Sequence, residues 1–203
     1  ATATSLPAFG NILNKQNDKL AILGGTPIRA KGRIGPSWPY IDDKLVASVV
    51  KTTKSGVWSR IQSRDGTVPT FETEFAHLIG ANYAVGTGSG TQALSTCVEA
   101  LGIDAGDEVI TSPYTDMGTI SSILTSRALP VMVDLDLDSY QMDPDEIEKN
   151  INENTKAIMP VHIMGLPANM ERIMAIAKKH NLKVIEDSCQ APFPDIRVRP
   201  SEQ

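Results

Sequence analysis

The sequence predicts an α/β fold in which a largely parallel sheet is covered by helices on both faces. The order of the elements supports the fold class, and the chain length supports a single large domain. From residue 82 onward, short apolar runs alternate with segments that carry apolar residues at helical spacing. Strands that alternate with helices in this way usually lie parallel in one sheet, because each crossover helix returns the chain to the same end. The 203 residues are enough for one large domain.

Five strands and six helices are expected along the chain. The strands are predicted in the runs YAVG, DEVITS, LPVMVDLD, KAIMPVH and LKVIED, which begin at residues 83, 107, 129, 156 and 182. The helices are predicted near residues 42–55, 70–79, 91–102, 117–126, 143–151 and 169–181. Gly56 and Asn181 are the expected ends of the first and last helix, and Asp143 is the expected N-cap of the fifth.

Residues 1–40 are rich in glycine and proline and are predicted to form an irregular N-terminal arm. The opening segment ATATSLPAFG does not begin with methionine and is similar in composition to the region around a signal-peptide cleavage site. A trimmed terminus or a flexible tail explains the same residues. A cytoplasmic location is the default expectation, with export as the alternative.

Composition and charge argue against several classes of partner. The formal net charge is −5 and the lysines and arginines form no cluster, so nucleic acid is not an expected partner. No apolar run approaches the roughly 20 residues that span a bilayer, so no membrane segment is expected. Cys97 and Cys189 lie outside any CxxC pair, which predicts neither a disulfide framework nor a metal site.

A glycine-rich segment, GTGSGT at residues 86–91, follows the first predicted strand and opens a helix. Glycines let the backbone approach an anion, and a helix N-terminus offers free N–H groups, so a phosphate fits there. A tight turn without a ligand is the alternative. A Rossmann dinucleotide site is disfavoured, because Thr91 replaces the last glycine and Ser112 and Pro113 stand where an acidic residue is expected.

Polar residues also close two other predicted strands. Tyr114 and Thr115, in the loop after DEVITS, can line a pocket or simply pack. Glu186 and Asp187 close the last strand, and since successive side chains face opposite ways, one of them is expected to face the ligand crevice. A carboxylate there can hold a cation such as a protonated pyridine nitrogen, or it can cap a helix. A packing role is expected for Cys189, which has no histidine or basic neighbour in the sequence.

Eight segments, in this order and spacing, resemble the DegT/DnrJ/EryC1/StrS family. They are LAILGGTPIR, SGVW, FETEFAHLIGANYAVGTGSGTQAL, GDEVITSPYT, PVMVDLD, DPDEIE, TKAIMPVHIMGLPANMERI and VIEDSCQA, and they extend from about residue 20 to residue 191. The resemblance implies the large domain of a pyridoxal-phosphate (PLP) enzyme of the aspartate aminotransferase fold. Members of this family are mostly aminotransferases that act on nucleotide-linked keto sugars.

The resemblance also implies cofactor-binding roles for the residues that match the family motifs. Ser89, Gly90 and Thr91 would bind the cofactor phosphate. Asp187 would pair with the pyridine nitrogen, and Gln190 would lie near the phenolic oxygen of the ring. No metal ligand is implied.

Two further positions carry expectations. Trp58 lies where family members shape the substrate pocket, and it is a candidate substrate contact. Asp116 stands where the family usually has an aromatic residue stacked on the cofactor ring. A carboxylate cannot stack in this way. Its presence predicts that another group covers the ring, that the pocket takes a different substrate, or that the cofactor has been lost.

The sequence departs from the family pattern after Ala191. Residues 41–191 are therefore interpreted as a partial PLP-binding large domain and residues 192–203 as a divergent tail, so that the domain is expected to be truncated. The family's chemistry uses a lysine that forms an aldimine with the cofactor, and no lysine follows Lys183. The resemblance thus implies that this chain has no catalytic lysine and does not catalyse the reaction alone.

Three functions remain open on the sequence alone. The leading one is the N-terminal portion of a PLP-dependent aminotransferase, whose substrates would be a nucleotide-linked keto sugar and an amino-acid donor, typically glutamate. The others are a non-catalytic binding or regulatory module and a Rossmann-type nucleotide-binding domain. A sheet that lacks its last strands would expose an unpaired edge, which favours self-association. The resemblance also implies a homodimer.

Overall fold

The computed structural model describes residues 19–26 and 38–192. They divide into two units, one with residues up to Trp58 and one that begins at Ser59. Most of the predicted arm, and all of the tail beyond residue 192, lie outside the described residues. The predicted boundaries of arm, domain and tail therefore stay predictions.

The first unit contains, in its described part, a helix α1 (Asp43–Ser55) and a short 3-10 turn (Ala21–Leu23). Asp42 caps α1 by accepting a hydrogen bond from the Leu45 N–H at 2.8 Å. Gly56, with a φ of 69°, ends the helix in the left-handed conformation that glycine adopts without strain. The predicted helix and its end are confirmed.

Within residues 59–192, a four-stranded sheet forms the centre of the second unit. Its strands are β1 (Glu108–Thr111), β2 (Leu129–Met132), β3 (Thr155–Met159) and β4 (Lys183–Val184). Their spatial order is β2–β1–β3–β4, and every pairing is parallel. This arrangement confirms the predicted parallel sheet. It also brings the carboxyl ends of these strands to one edge, where ligands of such sheets bind.

Five α-helices accompany the sheet in this part of the chain. They are α2 (Thr67–Ile79), α3 (Gly90–Ala100), α4 (Met117–Thr125), α5 (Pro144–Lys149) and α6 (Met170–His180). Asp143 caps α5 by accepting a hydrogen bond from the Asp145 N–H at 2.8 Å, as predicted. Asn181 ends α6 with a φ of 55°, also as predicted. Across the two described ranges, the structure contains no helix with the length and apolarity of a membrane span.

Helices cover both faces of the sheet because neighbouring residues in a strand point to opposite sides. In β1, Val109 belongs to a core cluster that also contains Val98 of α3 and Ile123 of α4. The next residue, Ile110, belongs to a second cluster, which also contains Ile173 of α6. The sheet is therefore buried on both sides, as the sequence predicts.

The prediction of a first strand at YAVG is wrong. Residues 83–86 have no regular structure. Tyr83 is 88% exposed, and the Gly86 N–H donates to the Glu72 side chain at 2.8 Å rather than to a strand. The run contains residues with high strand propensity, but propensity forms a strand only where a partner strand lies beside it.

The bounds of several other elements differ from the prediction, most clearly those of α2 and β4. Helix α2 begins at Thr67, three residues before the expected start, because Pro69 is tolerated in the first turn of a helix. Strand β4 is much shorter than the LKVIED run that predicts it. Beyond β4 the chain rejoins the sheet at one isolated parallel bridge, between Val161 and Asp187.

The core residue Ile158 in β3 is fully buried, whereas Ile61 is 91% exposed. We expect Ile158→Ala to lower the free energy of unfolding by about 2–5 kcal/mol, because it removes buried methyl groups and leaves a cavity. Ile158→Val should cost about 0.5–1.5 kcal/mol. The matched control Ile61→Ala should change this free energy by less than about 0.5 kcal/mol. Urea denaturation followed by circular dichroism measures these values, and equal losses at both positions would contradict the assigned core.

Candidate functional site

Three segments meet beyond the carboxyl ends of the strands: the N-termini of α3 and α4, and the residues that follow β4. A Cβ atom placed on Gly90, at the start of α3, would lie 3.0 Å from the Cys189 sulfur. A Cβ atom on Gly118, in the first turn of α4, would lie 2.6 Å from the Thr91 hydroxyl oxygen. Both glycines therefore allow a closer approach than a side chain would permit.

The predicted phosphate-binding residues lie at the N-terminus of α3. Ser89 is the N-cap, and its hydroxyl accepts a hydrogen bond from the Gln92 N–H at 3.2 Å. The Gln92 side chain in turn accepts one from the Gly88 N–H at 2.9 Å, which fixes the preceding turn. Gly90 and Thr91 form the first turn, where backbone N–H groups have no partner within a helix. Such a turn can bind an anion through these N–H groups and the helix dipole.

Asp187 is 3% exposed and faces the first turn of α4. Its Oδ2 accepts a hydrogen bond from the Thr119 hydroxyl at 2.6 Å, and its Oδ1 accepts one from the Cys189 N–H at 3.1 Å. Its backbone pairs with the residues after β3, through bonds to Pro160 and His162 at 2.9 and 3.1 Å. Both the backbone and the carboxylate of Asp187 are thus held in place.

The carboxylate of Asp187 is buried, and it has no cationic partner in the part of the chain that the structure describes. None of the ion pairs formed within the described residues includes it. The hydrogen bonds that it accepts from Thr119 and Cys189 come from neutral groups. Burial of a charged carboxylate is unfavourable unless its environment compensates the lost hydration. The site therefore suits a ligand that brings a positive charge, such as a protonated pyridine nitrogen.

Glu186 points away from the site, as the alternation along an extended chain requires. Its carboxylate lies 3.0 Å from Nε2 of His162, whose side chain is fully buried. Nδ1 of His162 accepts a hydrogen bond from the Ala168 N–H at 3.1 Å, so Nε2 carries the proton and donates to Glu186. Of the two acidic side chains, that of Asp187 thus meets the first turn of α4, whereas that of Glu186 bonds His162, which also bonds the Ala168 backbone.

Gln190 lies at the same edge and is oriented by the loop after β3. Its Oε1 accepts a hydrogen bond from the Met164 N–H at 2.8 Å, which leaves its amide nitrogen to donate elsewhere. Gln141, a buried residue absent from the sequence predictions, fixes this loop. Its side-chain amide bonds both the N–H and the carbonyl of Ile163, each at 3.2 Å. The orientation of Gln190 suits a ligand with an acceptor oxygen.

Asp116 is the N-cap of α4. Its Oδ1 accepts a hydrogen bond from the Gly118 N–H at 2.7 Å. Aspartate is among the residues that cap helices best. The carboxylate that stands in place of the expected aromatic residue therefore has a structural role that needs no ligand.

Cys189 lies between Asp187 and the start of α3. Burial, followed by the hydrogen bond and the negative charge of Asp187, raises the pKa of the Cys189 thiol to about 11. Because the thiolate is the reactive form, a thiol with this pKa is a poor nucleophile near neutral pH. Cys189 is also an exposed residue, so the structure argues against a nucleophilic role, and the expected packing role stays a prediction.

Thr119 is a site residue that the sequence analysis misses. It is almost fully buried and lies in the first turn of α4. Its hydroxyl oxygen is 2.7 Å from that of Thr115, which is a predicted pocket residue, and 2.6 Å from Asp187. A threonine inside an amphipathic helix carries no distinctive signal, because the pattern does not show which distant residue it meets.

Glu72 of α2 anchors the glycine-rich segment. It is buried, and its carboxylate accepts a hydrogen bond from the Gly86 N–H at 2.8 Å. The Arg60 guanidinium donates to the same carboxylate through Nε and Nη2, both at 2.9 Å. The Arg60 hydrogen bonds, and after them the Gly86 N–H, hold the pKa of the Glu72 carboxyl below its ordinary value. Glu72 is a second residue without a signal in the sequence.

Trp58 belongs to the first unit and is 72% exposed. Its expected contact with the substrate stays a prediction. The other predicted site residues lie in the second unit, and the structure brings them to one edge of the sheet.

Residues 39–193 match the DegT/DnrJ/EryC1/StrS aminotransferase family. The chain belongs to this family. The matched range includes the glycine-rich segment, both helix N-termini and the segment after β4. Aminotransferases of the DegT/DnrJ/EryC1/StrS family depend on PLP, which agrees with a site that suits a phosphate and a cation.

Two curated relatives show the extent of the likeness. The putative L-glutamine:3-amino-2,3-dideoxy-scyllo-inosose aminotransferase of Streptoalloteichus tenebrarius is 38% identical over 181 residues, which are 89% of this chain and 43% of that protein. The dTDP-3-amino-3,6-dideoxy-alpha-D-galactopyranose transaminase of Aneurinibacillus thermoaerophilus is 46% identical over 126 residues, which are 62% of this chain and 35% of that protein. The chain spans less than half the length of these relatives.

A solved structure is also similar to this chain. NtdA of Bacillus subtilis with its bound cofactor PMP (pyridoxamine phosphate) superimposes with a TM-score of 0.66 and is 33% identical. The superposition covers 74% of this chain and 34% of NtdA. It confirms the predicted fold class, a PLP-dependent transferase fold of which this chain forms a part.

The lowered pKa of Glu72 predicts a pH dependence of stability. Because the pKa is lower in the folded state, Glu72 contributes stability above its ordinary pKa of about 4.5, and this contribution is lost as the pH falls through the lowered value. We expect Glu72→Gln to reduce the midpoint of urea unfolding near about pH 7 and to have a smaller effect in acid. Urea titrations of both proteins across this pH range measure the difference.

The matched control for this experiment is Glu74→Gln, which changes an exposed glutamate on the same helix. It should leave the unfolding midpoint nearly unchanged at each pH. If Glu72→Gln and Glu74→Gln have the same effect, the bond from Glu72 to Arg60 and Gly86 does not contribute to stability.

Proposed function

We propose that the chain is the N-terminal, cofactor-binding part of a PLP-dependent aminotransferase that acts on a keto sugar. The observation that carries the proposal is the buried Asp187 carboxylate, which has no cationic partner among the described residues. It lies beside the N-terminus of α3, as the close approach of Gly90 and Cys189 indicates. A ligand with a phosphate and a protonated pyridine nitrogen matches both features.

In this proposal the residues at the start of α3 and after β4 have separate tasks. The first-turn N–H groups of Gly90 and Thr91 would bind the phosphate, next to the Ser89 cap. Asp187 would accept a hydrogen bond from the protonated ring nitrogen, and the amide nitrogen of Gln190 would donate to the phenolic oxygen. When bound, PLP supplies an electron sink for bonds at the amino-bearing carbon of the substrate. Asp187 supports that chemistry because its negative charge stabilises the protonated form of the ring.

The names of the two relatives point to two acceptor classes, a dTDP-linked sugar and a scyllo-inosose. For the whole protein we propose a nucleotide-linked keto sugar as the acceptor, with an inosose-type cyclitol as the alternative. Both are rings that carry several hydroxyl groups. The donor would be an amino acid, and L-glutamine, which is named for one relative, joins glutamate as a candidate.

The chain of 203 residues contains no lysine after Lys183. Proton transfer at the substrate carbon requires a base, and family resemblance gives this task to a lysine further along the chain. We therefore expect the isolated chain to bind the cofactor without turnover. A non-catalytic binding module would behave in the same way and is the second candidate function. Transamination by a longer polypeptide that contains this chain would support the aminotransferase and exclude the non-catalytic module.

The Rossmann-type alternative is not retained, since the chain belongs to the DegT/DnrJ/EryC1/StrS family. The residue where that alternative needs an acid is Ser112, which is buried. Its hydroxyl bonds the backbone of Tyr114 at 3.1 and 3.2 Å, so it shapes the turn after β1.

The proposal includes self-association of the second unit. Within the described residues β4 pairs with β3 on one side only. Beside it lies an open, largely apolar groove, lined by Met174, Ala175, Ala177, Lys178, Leu182, Lys183 and Val184. An unpaired edge next to apolar surface favours association with another copy of the chain.

We expect the chain to sediment as a dimer or a larger assembly. Met174→Glu, which places a charge in the groove beside β4, should shift the distribution toward monomer. Leu137→Glu introduces the same charge at another exposed apolar residue and should leave the distribution unchanged. Sedimentation velocity measures the size distribution of all three proteins. A monomeric wild-type chain at moderate concentration would contradict this part of the proposal.

Cofactor binding is tested with pyridoxamine phosphate, which has no aldehyde and so cannot react with surface lysines. We expect the wild-type chain to bind it in equilibrium dialysis. Asp187→Asn should weaken binding at least about a hundredfold, because the ring cation loses its buried partner. Asparagine keeps the shape of aspartate and can still accept from Thr119, and circular dichroism checks that the variant folds.

The control is Asp138→Asn, which removes an exposed carboxylate in the loop after β2 and should not affect binding. Incubation with PLP followed by borohydride reduction should give no single adduct in the intact mass, because no lysine is expected at the cofactor. Absence of binding by the wild-type chain would refute the proposal for this chain. Equal binding by Asp187→Asn would refute the role of Asp187.

A further inference from the structure

The hydroxyl groups of Thr115 and Thr119 form a chain of hydrogen bonds with a fixed direction. A carboxylate can only accept, so the Thr119 hydroxyl must donate its single proton to Oδ2 of Asp187, at 2.6 Å. The Thr115 hydroxyl, 2.7 Å from that of Thr119, must therefore be the donor of the second bond. The direction of both bonds follows from the negative charge of Asp187. The bond from Thr119 to the carboxylate is the stronger type, since its acceptor is charged, and it polarises the Thr119 hydroxyl that accepts from Thr115.

The first turn of α4 is itself fixed relative to α3. Asp116 caps the turn through its bond to the Gly118 N–H. Gly118 faces Thr91 so closely that an added Cβ would lie 2.6 Å from its hydroxyl oxygen. Thr119 is the next residue, and it reaches Asp187 from the same turn. One turn of helix therefore contacts both the N-terminus of α3 and the buried carboxylate.

We propose that Thr119 is a positioning residue that orients the Asp187 carboxylate toward the ring nitrogen of a bound pyridine cofactor. This inference rests on the proposed function and assigns a role to a residue that would not touch the cofactor. Asp187 is held at Oδ1 by the Cys189 N–H and at Oδ2 by Thr119. Loss of the Thr119 hydroxyl leaves Oδ2 without that donor and lets the carboxylate rotate. The effect falls on the interaction with the ring nitrogen and not on the phosphate.

The experiment compares two ligands, pyridoxamine phosphate and its analogue in which a C–H group replaces the ring nitrogen. Thr119→Val keeps the shape of the side chain and removes the hydroxyl. We expect it to weaken binding of pyridoxamine phosphate roughly tenfold or more, as the loss of a hydrogen bond to a charged group predicts. Binding of the analogue should be unchanged. Thr119→Ser keeps the hydroxyl, so this variant should retain most of the wild-type affinity for pyridoxamine phosphate.

The matched control is Thr125→Val, on the same helix, where the hydroxyl bonds the Ser122 carbonyl and the Ser95 hydroxyl of α3, and not Asp187. It should affect neither ligand. If Thr119→Val weakens binding of both ligands equally, the residue only supports the fold of the site and the proposal is overturned. Unchanged binding of pyridoxamine phosphate by Thr119→Val overturns it as well.

A measurement without ligand separates this inference from the proposed function. Rotation of the carboxylate would release the Cys189 N–H, so its amide hydrogen should exchange faster in Thr119→Val than in the wild type, Thr119→Ser or Thr125→Val. If the wild-type chain binds neither ligand, the proposed function fails for this chain. The exchange rate of the Cys189 amide hydrogen then tests the role of Thr119 by itself. An unchanged rate in Thr119→Val would show that Thr119 does not hold the carboxylate.

Discussion

The site depends on one constraint, which is the fixed position of a buried negative charge at Asp187. Asp187 is 3% exposed, and both its backbone N–H and its carbonyl are bonded to the chain after β3. Its carboxylate accepts hydrogen bonds from the neutral Thr119 hydroxyl and Cys189 N–H and forms no ion pair within the described residues. A protein tolerates such burial only where the surrounding groups are well ordered. The loops around it are accordingly fixed by further hydrogen bonds, among them the clamp of Gln141 on Ile163.

The helix N-termini follow from the same constraint. Both α3 and α4 must begin close to Asp187 to present donors at this edge, and their close approach needs small residues. Gly90 beside Cys189 and Gly118 beside Thr91 meet that need. The space next to each glycine is too small for a side chain. The two helices also bury apolar side chains together against the sheet. The order of the site therefore derives from packing of the core as well as from polar contacts.

Much of the fold could be predicted because its signals are local. Gly56, Asn181 and the Asp143 cap act on residues within one helical turn, so the sequence shows them directly. The prediction of a strand at YAVG was wrong because a strand needs a partner elsewhere in the chain. The Gly86 N–H donates to Glu72 instead. The parallel sheet was predictable from the alternation of elements, whereas the length of β4 was not.

The sequence by itself determined the family, the class of fold and the predicted site residues at the start of α3 and after β4, because these lie in contiguous motifs. Only the tertiary structure decided that the Asp187 side chain meets the first turn of α4, and that Asp116 caps a helix. It alone revealed Thr119, which lies 68 positions from the carboxylate that it contacts. A hydrogen bond between such distant residues depends on how helices pack on the sheet, and no local pattern records that packing.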